Sequence, residues 1–260
     1  MSAIEYQRSC EAMGTRFDVI LRGVDAQHLE AVAVAVCEEI QRLDAALSRF
    51  NASSEIARVN RAASQKAIRV DREIFALLVR CEQAREMTDG YFDVTATTGG
   101  NGLMLDAEHC TVAFTRTDLA IDLGAIGKGY ALDCGREILS RFGVNDALLQ
   151  GGTSSVLALG EREWPIAIRH PLKPEEIVKR IALKNRGFSC SAIRHVHQAQ
   201  SDIVNPHSGT SVSGADACVV FAENAAEAEI FSTALLAMGK EKVSRYLKTM
   251  ADASLQVAWF

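Results

Sequence analysis

Three glycines, at 124, 127 and 129, surround Lys128 in the segment IDLGAIGKGYALD (Ile121–Asp133), and this is the strongest local signal for chemistry in the chain. Glycine lets a backbone approach a ligand closely, and the first turn of a helix favours an anion. Lys128 adds a point charge suited to a phosphate. The spacing is not GxxxxGK[ST], because Tyr130 stands where a P-loop carries its hydroxyl residue, and no GxGxxG occurs. Neither a nucleoside triphosphatase nor a dinucleotide-binding dehydrogenase fits. A glycine-rich turn that packs a helix against a sheet would look the same, so the residues alone leave a phosphate site and a packing turn both open.

Histidine and cysteine offer less. No HxxxH or HExxH pattern supports a zinc site, and no CxxC occurs among the seven cysteines. Cys37, Cys81 and Cys134 fall at apolar helical positions, where a free thiol serves as a small hydrophobe. That pattern favours a reducing compartment. The opening MSAIEYQRSCEAMG lacks an apolar signal region, so a cytoplasmic location is expected. No window approaches the length of a membrane span. With a formal charge of −5 there is no global basic field to hold nucleic acid.

The elements that must position the glycine segment can be read from periodicity. Phe17, Val19 and Leu21 alternate in a strand. Asp25 can cap a long helix carrying Leu29, Val32, Val36, Ile40, Leu43 and Leu47 at spacings of three and four. A second helix begins at Asp71 and stops by Gly90, with a polar stretch, SRFNASSEIARVN, between the two. AIDL reads as a strand leading into the glycines, and the following helix runs to about Phe142 and ends at Gly143. The second half holds many short β-like runs, among them ALLQ, SVLAL, PIAIR, RIAL, GFSCS, DIVN, ACVVF and LQVAWF. Asn224 can cap a helix that Gly239 ends, and a short helix follows. The order is mixed and not regularly alternating, so an α+β fold is expected. The 260 residues read as one domain over 1–260, with a subdomain boundary near 145.

DLGAIGKGYALD resembles the DLGgiaKGyavD signature of the FAD:protein FMN transferases. Five further segments resemble that family's motifs in the same order: MGTRF (Met13–Phe17), LSRFNASSEIARVN, DGYFDVT (Asp89–Thr95), QGGTSSVLALG and AEIFSTALLAMG. Together they cover nearly the whole chain. The resemblance implies two interlocked mixed α/β subdomains with a flavin site between them. It implies a substrate, FAD, and a divalent ion, usually magnesium, at its pyrophosphate. FMN would pass to a threonine hydroxyl of a partner protein, with release of AMP.

Carried over residue by residue, the resemblance makes Ala125, Glu229 and Thr233 the metal ligands, Ala125 through its carbonyl. Glu229 and Thr233 are four apart, which puts both on one helix face. Glu229 stands where the family has aspartate. Thr15, Asn60, Asp93, Gly124, Lys128, Gly152 and Ser191 become the flavin-contact candidates. For Asp93 a turn or cap role is the alternative, and Thr15 could instead satisfy backbone. Tyr91 and Phe50 are the aromatic candidates for stacking. The family's HiiDPrTG appears as DIVNPHSG (Asp202–Gly209), so Asp202 replaces a histidine, Asn205 an aspartate and His207 an arginine. Its tSGdY appears as CSAIR (Cys190–Arg194). Asp202 and Lys128 are then the catalytic candidates, Asp202 as general base toward the acceptor hydroxyl, with His195, His197 or His207 as other sources of a base. Two alternatives remain on the same scaffold: an FAD-binding protein without transfer, and hydrolysis of FAD to FMN and AMP.

Overall fold

The structure, a computed structural model, describes residues 3–193, 201–213, 217–249 and 255–260. Strands β1 (Ile4–Ala12) and β2 (Thr15–Gly23) form a hairpin that leads into α1 (Ala26–Leu47). Then come α2 (Glu55–Ala62), β3 (Ile68–Arg69), α3 (Arg72–Met87), β4 (Leu103–Asp106), β5 (Thr111–Phe114) and α4 (Gly127–Arg141). Five strands follow: β6 (Asp146–Gly151), β7 (Ser155–Leu159), β8 (Trp164–His170), β9 (Lys173–Leu183) and β10 (Arg186–Ala192). The rest is β11 (Val204–Asn205), β12 (Thr210–Ser211), β13 (Ala217–Ala222), α5 (Ala225–Met238), α6 (Lys240–Thr249) and β14 (Gln256–Trp259). The fold is mixed α and β, as the motif order implied.

A seven-stranded sheet, ordered β1-β2-β6-β7-β10-β13-β14, is the frame, and every neighbouring pair in it is antiparallel. Strand alternation gives it two apolar faces. Phe17, Val19 and Leu21 join Leu149 and Leu157 in the core beneath α1 and α4. Leu148, Val156, Phe188 and Val219 point the other way, into a cluster closed by Trp164, Ile166 and Ile168 of the β8–β9 hairpin. The long helices therefore share one face with the site described below, and the hairpin covers the opposite face.

Local signals placed the helix starts well. Asp25 accepts from the Gln27 and His28 N–H groups, Asp71 from Glu73, and Asn224 from Glu227. Two expectations change. The polar stretch after α1 contains α2, capped by Ser54, whose hydroxyl accepts the Ala57 N–H. AIDL is not a strand; its backbone is held instead by Asn60, which donates to the Ile121 carbonyl at 2.9 Å and accepts the Ile121 N–H at 2.8 Å. A side-chain amide thus mimics one rung of a ladder where no strand neighbour is present.

Helices α4 and α5 cap one another. Asp133, 7% exposed, sits in α4 and accepts the Ala225 and Ala226 N–H groups at 2.9 and 3.0 Å, at the start of α5. Glu229 of α5 accepts the Gly129 N–H at 2.7 Å, in the first turn of α4. The capping residue just before α4, Ile126, has no side chain able to cap, so the partner helix supplies the acceptor. Burial pushes the Asp133 carboxyl above its ordinary value, against the downward pull of those two N–H donors. A raised acid keeps its proton in the folded chain where the unfolded chain has released it. Its contribution to stability is therefore complete below the ordinary value of 3.8 and fades as pH rises through the folded value. Urea unfolding from pH 4 upward should show the parent losing stability relative to Asp133→Asn. Parallel curves would refute this.

Candidate functional site

A cleft of about 360 Å³ opens between the start of α4, strand β10 and one face of α5. Asp93, Gly124, Ala125 and Lys128 line it from the first half of the chain. Ser191, Asp202, Glu229 and Thr233 line it from the second half. Eight of the eleven sequence-predicted site residues thus converge, across more than a hundred residues of chain.

The floor is organised by Glu229, whose carboxylate is 3% exposed. Lys128 places its ammonium nitrogen 2.9 Å from Oε1, and the Ser155 hydroxyl donates to the same oxygen. The Gly129 N–H takes Oε2. A buried carboxylate is tolerated only when paired and hydrogen-bonded, and here a cation, a hydroxyl and a helix N-terminus meet that condition together. The glycine at 129 also lets the helices meet. A Cβ there would lie 2.4 Å from the Ala225 carbonyl oxygen. Gly129 thus serves helix packing, one of the two roles the sequence left open, while Gly124, Ala125 and Lys128 face the cleft.

Hydroxyls continue the floor. Ser191 lies 2.8 Å from Ser232 and 3.3 Å from Thr233, and Ser232 donates to Ser189 at 2.9 Å. These contacts tie β10 to α5, so Thr233 is held one turn beyond Glu229 on the cleft-facing side. The Glu229 carboxylate and the Thr233 hydroxyl are hard oxygen donors of the kind that suits a divalent cation such as magnesium. A diphosphate, which needs donors and positive charge, would be met by the Lys128 ammonium and the Thr233 hydroxyl.

The other three predicted residues lie elsewhere. Asn60 spends its amide on Ile121, as described. Thr15 and Gly152 meet at the end of the β2–β6 pair; Gly152 has a φ of 62°, donates to the Arg16 carbonyl at 2.9 Å, and leaves no room for a Cβ beside the Thr15 hydroxyl. Gly152 lines a second cavity, under the β8–β9 hairpin. Asp93 does line the cleft, but its Oδ1 accepts the Thr95 N–H and hydroxyl at 2.7 and 2.6 Å, and its Oδ2 accepts the Asn101 N–H at 2.9 Å. That is the turn-organising role, in a loop where Gly99 and Gly100 both have positive φ.

Substituted positions have found structural work. Asn205 donates to the Ala237 carbonyl at 3.1 Å, and His207 pairs with the Asp89 carbonyl at 2.9 Å while standing edge-on to Tyr91. His207 faces a neighbouring pocket, not the lining of the cleft. Tyr91 lines the cleft and accepts a hydrogen bond from Lys242 at 2.8 Å. Phe50 is 83% exposed, away from the cleft, with Arg49 over its ring. Arg194, His195 and His197 lie outside the described residues. Sequence reasoning missed Ser155 and Ser189, two of the many serines in β-like runs, and neither carried a distinguishing signal.

Among the described residues one acidic–thiol cluster could draw a cation, that of Glu39, Glu73 and Cys134. Arg42 already sits on it, 2.7 Å from Glu39 and 2.8 Å from Glu73. All seven cysteines are free thiols. No helix among the described residues is long and apolar enough to cross a membrane.

Comparison with known proteins gives a consistent result. The FAD:protein FMN transferase of Klebsiella pneumoniae (strain 342) is 25% identical over 259 residues, covering 86% of this chain and 81% of that protein. That of Rhodobacter capsulatus is 32% identical over 152 residues, covering 54% of this chain and 28% of the relative. The crystal structure of the ApbE protein of Thermotoga maritima superposes with a TM-score of 0.87 at 21% identity, covering 98% of this chain and 93% of that one. The flavin transferase ApbE of Vibrio cholerae gives a TM-score of 0.84 at 17% identity, over 98% and 93%. Residues 13–101 and 96–257 match the model of the ApbE family, nearly the whole chain, and the protein belongs to that family.

Proposed function

We propose that this chain transfers FMN from FAD to a threonine hydroxyl of an acceptor protein and releases AMP. The observation that carries the reading is the Lys128–Glu229 pair at the floor of a cleft ringed by hydroxyls. The Lys128 ammonium on that floor supports the reading, since it is suited to meet the diphosphate of FAD. The matched relatives named FAD:protein FMN transferases support it. In the reaction the acceptor oxygen attacks the phosphorus of the FMN half. A new P–O bond forms, the bridging P–O bond breaks, and its electron pair leaves on the phosphate of AMP. Asp202, on the cleft wall, takes the hydroxyl proton. Lys128 neutralises non-bridging oxygens, and Ser191 orients the diphosphate. Catalysis of this kind is mostly positioning and charge neutralisation.

Magnesium fits the donor set of Ala125, Glu229 and Thr233, provided it takes the lone pair of Glu229 that the Lys128 ammonium now holds. When bound, such an ion polarises the pyrophosphate and offsets charge on the departing phosphate. The seven free thiols support a reducing, cytoplasmic setting. Isothermal titration of FAD should show binding that magnesium tightens at least tenfold over chelator, and an acceptor protein should gain flavin fluorescence on a denaturing gel. No FAD binding under either condition would remove the transferase reading. AMP release without any acceptor would replace it with hydrolysis.

A further inference from the structure

We infer that Lys128 is a displaceable counter-ion: it holds the Glu229 carboxylate until a divalent cation takes its place, and the freed ammonium then moves to the diphosphate of the nucleotide. The inference rests on the cation reading above and adds a sequence of events to it.

The geometry supplies each part. Glu229 is too deeply buried to stand unpaired, so without a metal ion the protein must supply its own positive charge, and Lys128 does so at 2.9 Å. The two remaining donors, the Gly129 N–H and the Ser155 hydroxyl, hold the carboxylate from the protein side. They stay in place when Lys128 leaves, so its departure does not dismantle the site. Lys128 itself is anchored by backbone in the first turn of α4, while its side chain is 23% exposed on the cleft. A four-carbon stem can swing there without moving the helix.

Charge decides the direction of the exchange. A carboxylate and an ammonium sum to zero; adding a dication leaves two positive groups competing for one acid. Lys128 is then repelled toward the other anions of the cleft, which Asp93, Asp122 and Asp202 also line, and of these the diphosphate carries the most charge. Metal and nucleotide become thermodynamically linked through one side chain, each easing the binding of the other.

The test is manganese(II) binding followed by electron paramagnetic resonance of the free ion, without nucleotide and then with FAD. Lys128→Met should bind manganese at least tenfold tighter than the parent in the absence of FAD, and the tightening produced by FAD should shrink by a similar factor. Lys128→Arg should bind no tighter than the parent. Equal or weaker binding by Lys128→Met overturns the inference while leaving the cation site standing. Absence of manganese binding to every protein, with and without FAD, overturns both. If Lys128→Met does not fold, the parent alone suffices. Amine-directed acetylation read by mass spectrometry should rise several-fold at Lys128 on adding manganese and fall again on adding FAD. An unchanged labelling rate overturns the inference.

Discussion

Glu229→Ala should slow FMN transfer by about 100-fold or more, on the scale of losing a residue that fixes a metal site. The substitution removes the carboxylate on which four things converge: the Lys128 ammonium, the Ser155 hydroxyl, the Gly129 N–H and the proposed cation. Stability should fall as well, by about 3 kcal/mol, at the low end for breaking a buried pair because Lys128 can reach water. Glu229→Gln separates the two effects. It keeps an acceptor for Gly129 and most of the volume, so it should recover much of the stability and little of the rate. Initial rates of flavin attachment and urea unfolding on the same preparations check this. An alanine variant within threefold of the parent rate would remove Glu229 from the mechanism.

Gly129→Ala should lower the melting temperature by roughly 6–12 °C, which corresponds to about 3 kcal/mol of overpacking. Its Cβ would meet the Ala225 carbonyl oxygen at 2.4 Å and the Ala226 Cα at 2.7 Å. Both are backbone, so neither can rotate aside. On the other side of α5, Gly187 of β10 makes the same approach, with its Cβ position 2.4 Å from the Asn224 carbonyl oxygen. The start of α5 is thus wedged between two glycines and capped by Asp133. Moving it by even part of an ångström shifts Glu229 from the Gly129 N–H, so metal and FAD affinity should fall together with stability. Gly143→Ala is the control: it has open space but a φ of 70°, and should cost only about 1–2 kcal/mol of backbone strain. Equal melting temperatures for Gly129→Ala and the parent would sink the argument.

What could be read from the sequence was what neighbouring residues decide. Asp25, Asp71 and Asn224 announce helices because a cap acts within three residues. Gly143 and Gly239, both at positive φ, announce their ends for the same reason. Strand β1 gave no such signal. It lies at the edge of the sheet, and most of its residues face water, so no apolar alternation marks it. α2 escaped notice because only Ile56, Ala57 and Val59 are buried among its eight residues. The site divides in the same way. Glu229 and Thr233 share a face by helical spacing, and Lys128 stands out among glycines. Ser155 reaches Glu229 across 74 positions, and Asp133 reaches α5 across 92. Those contacts depend on how β7 and α4 are placed by the sheet, which no local pattern encodes. Asn60 shows the converse: a residue that fits a motif has its amide committed to backbone.

The pairing of β2 with β6 sets a timetable for the newborn chain. Phe17 through Arg22 find their partners in Gly151 back to Asp146, about 130 residues later. A ribosome adding about 5–20 residues per second needs roughly 6–26 s to deliver them. Through that interval the first hairpin and α1 can assemble, yet one edge of β2 stays bare, and a bare edge is what recruits other chains. The time spent on the ribosome, and the concentration of neighbouring nascent chains, therefore bear on yield before any flavin is met.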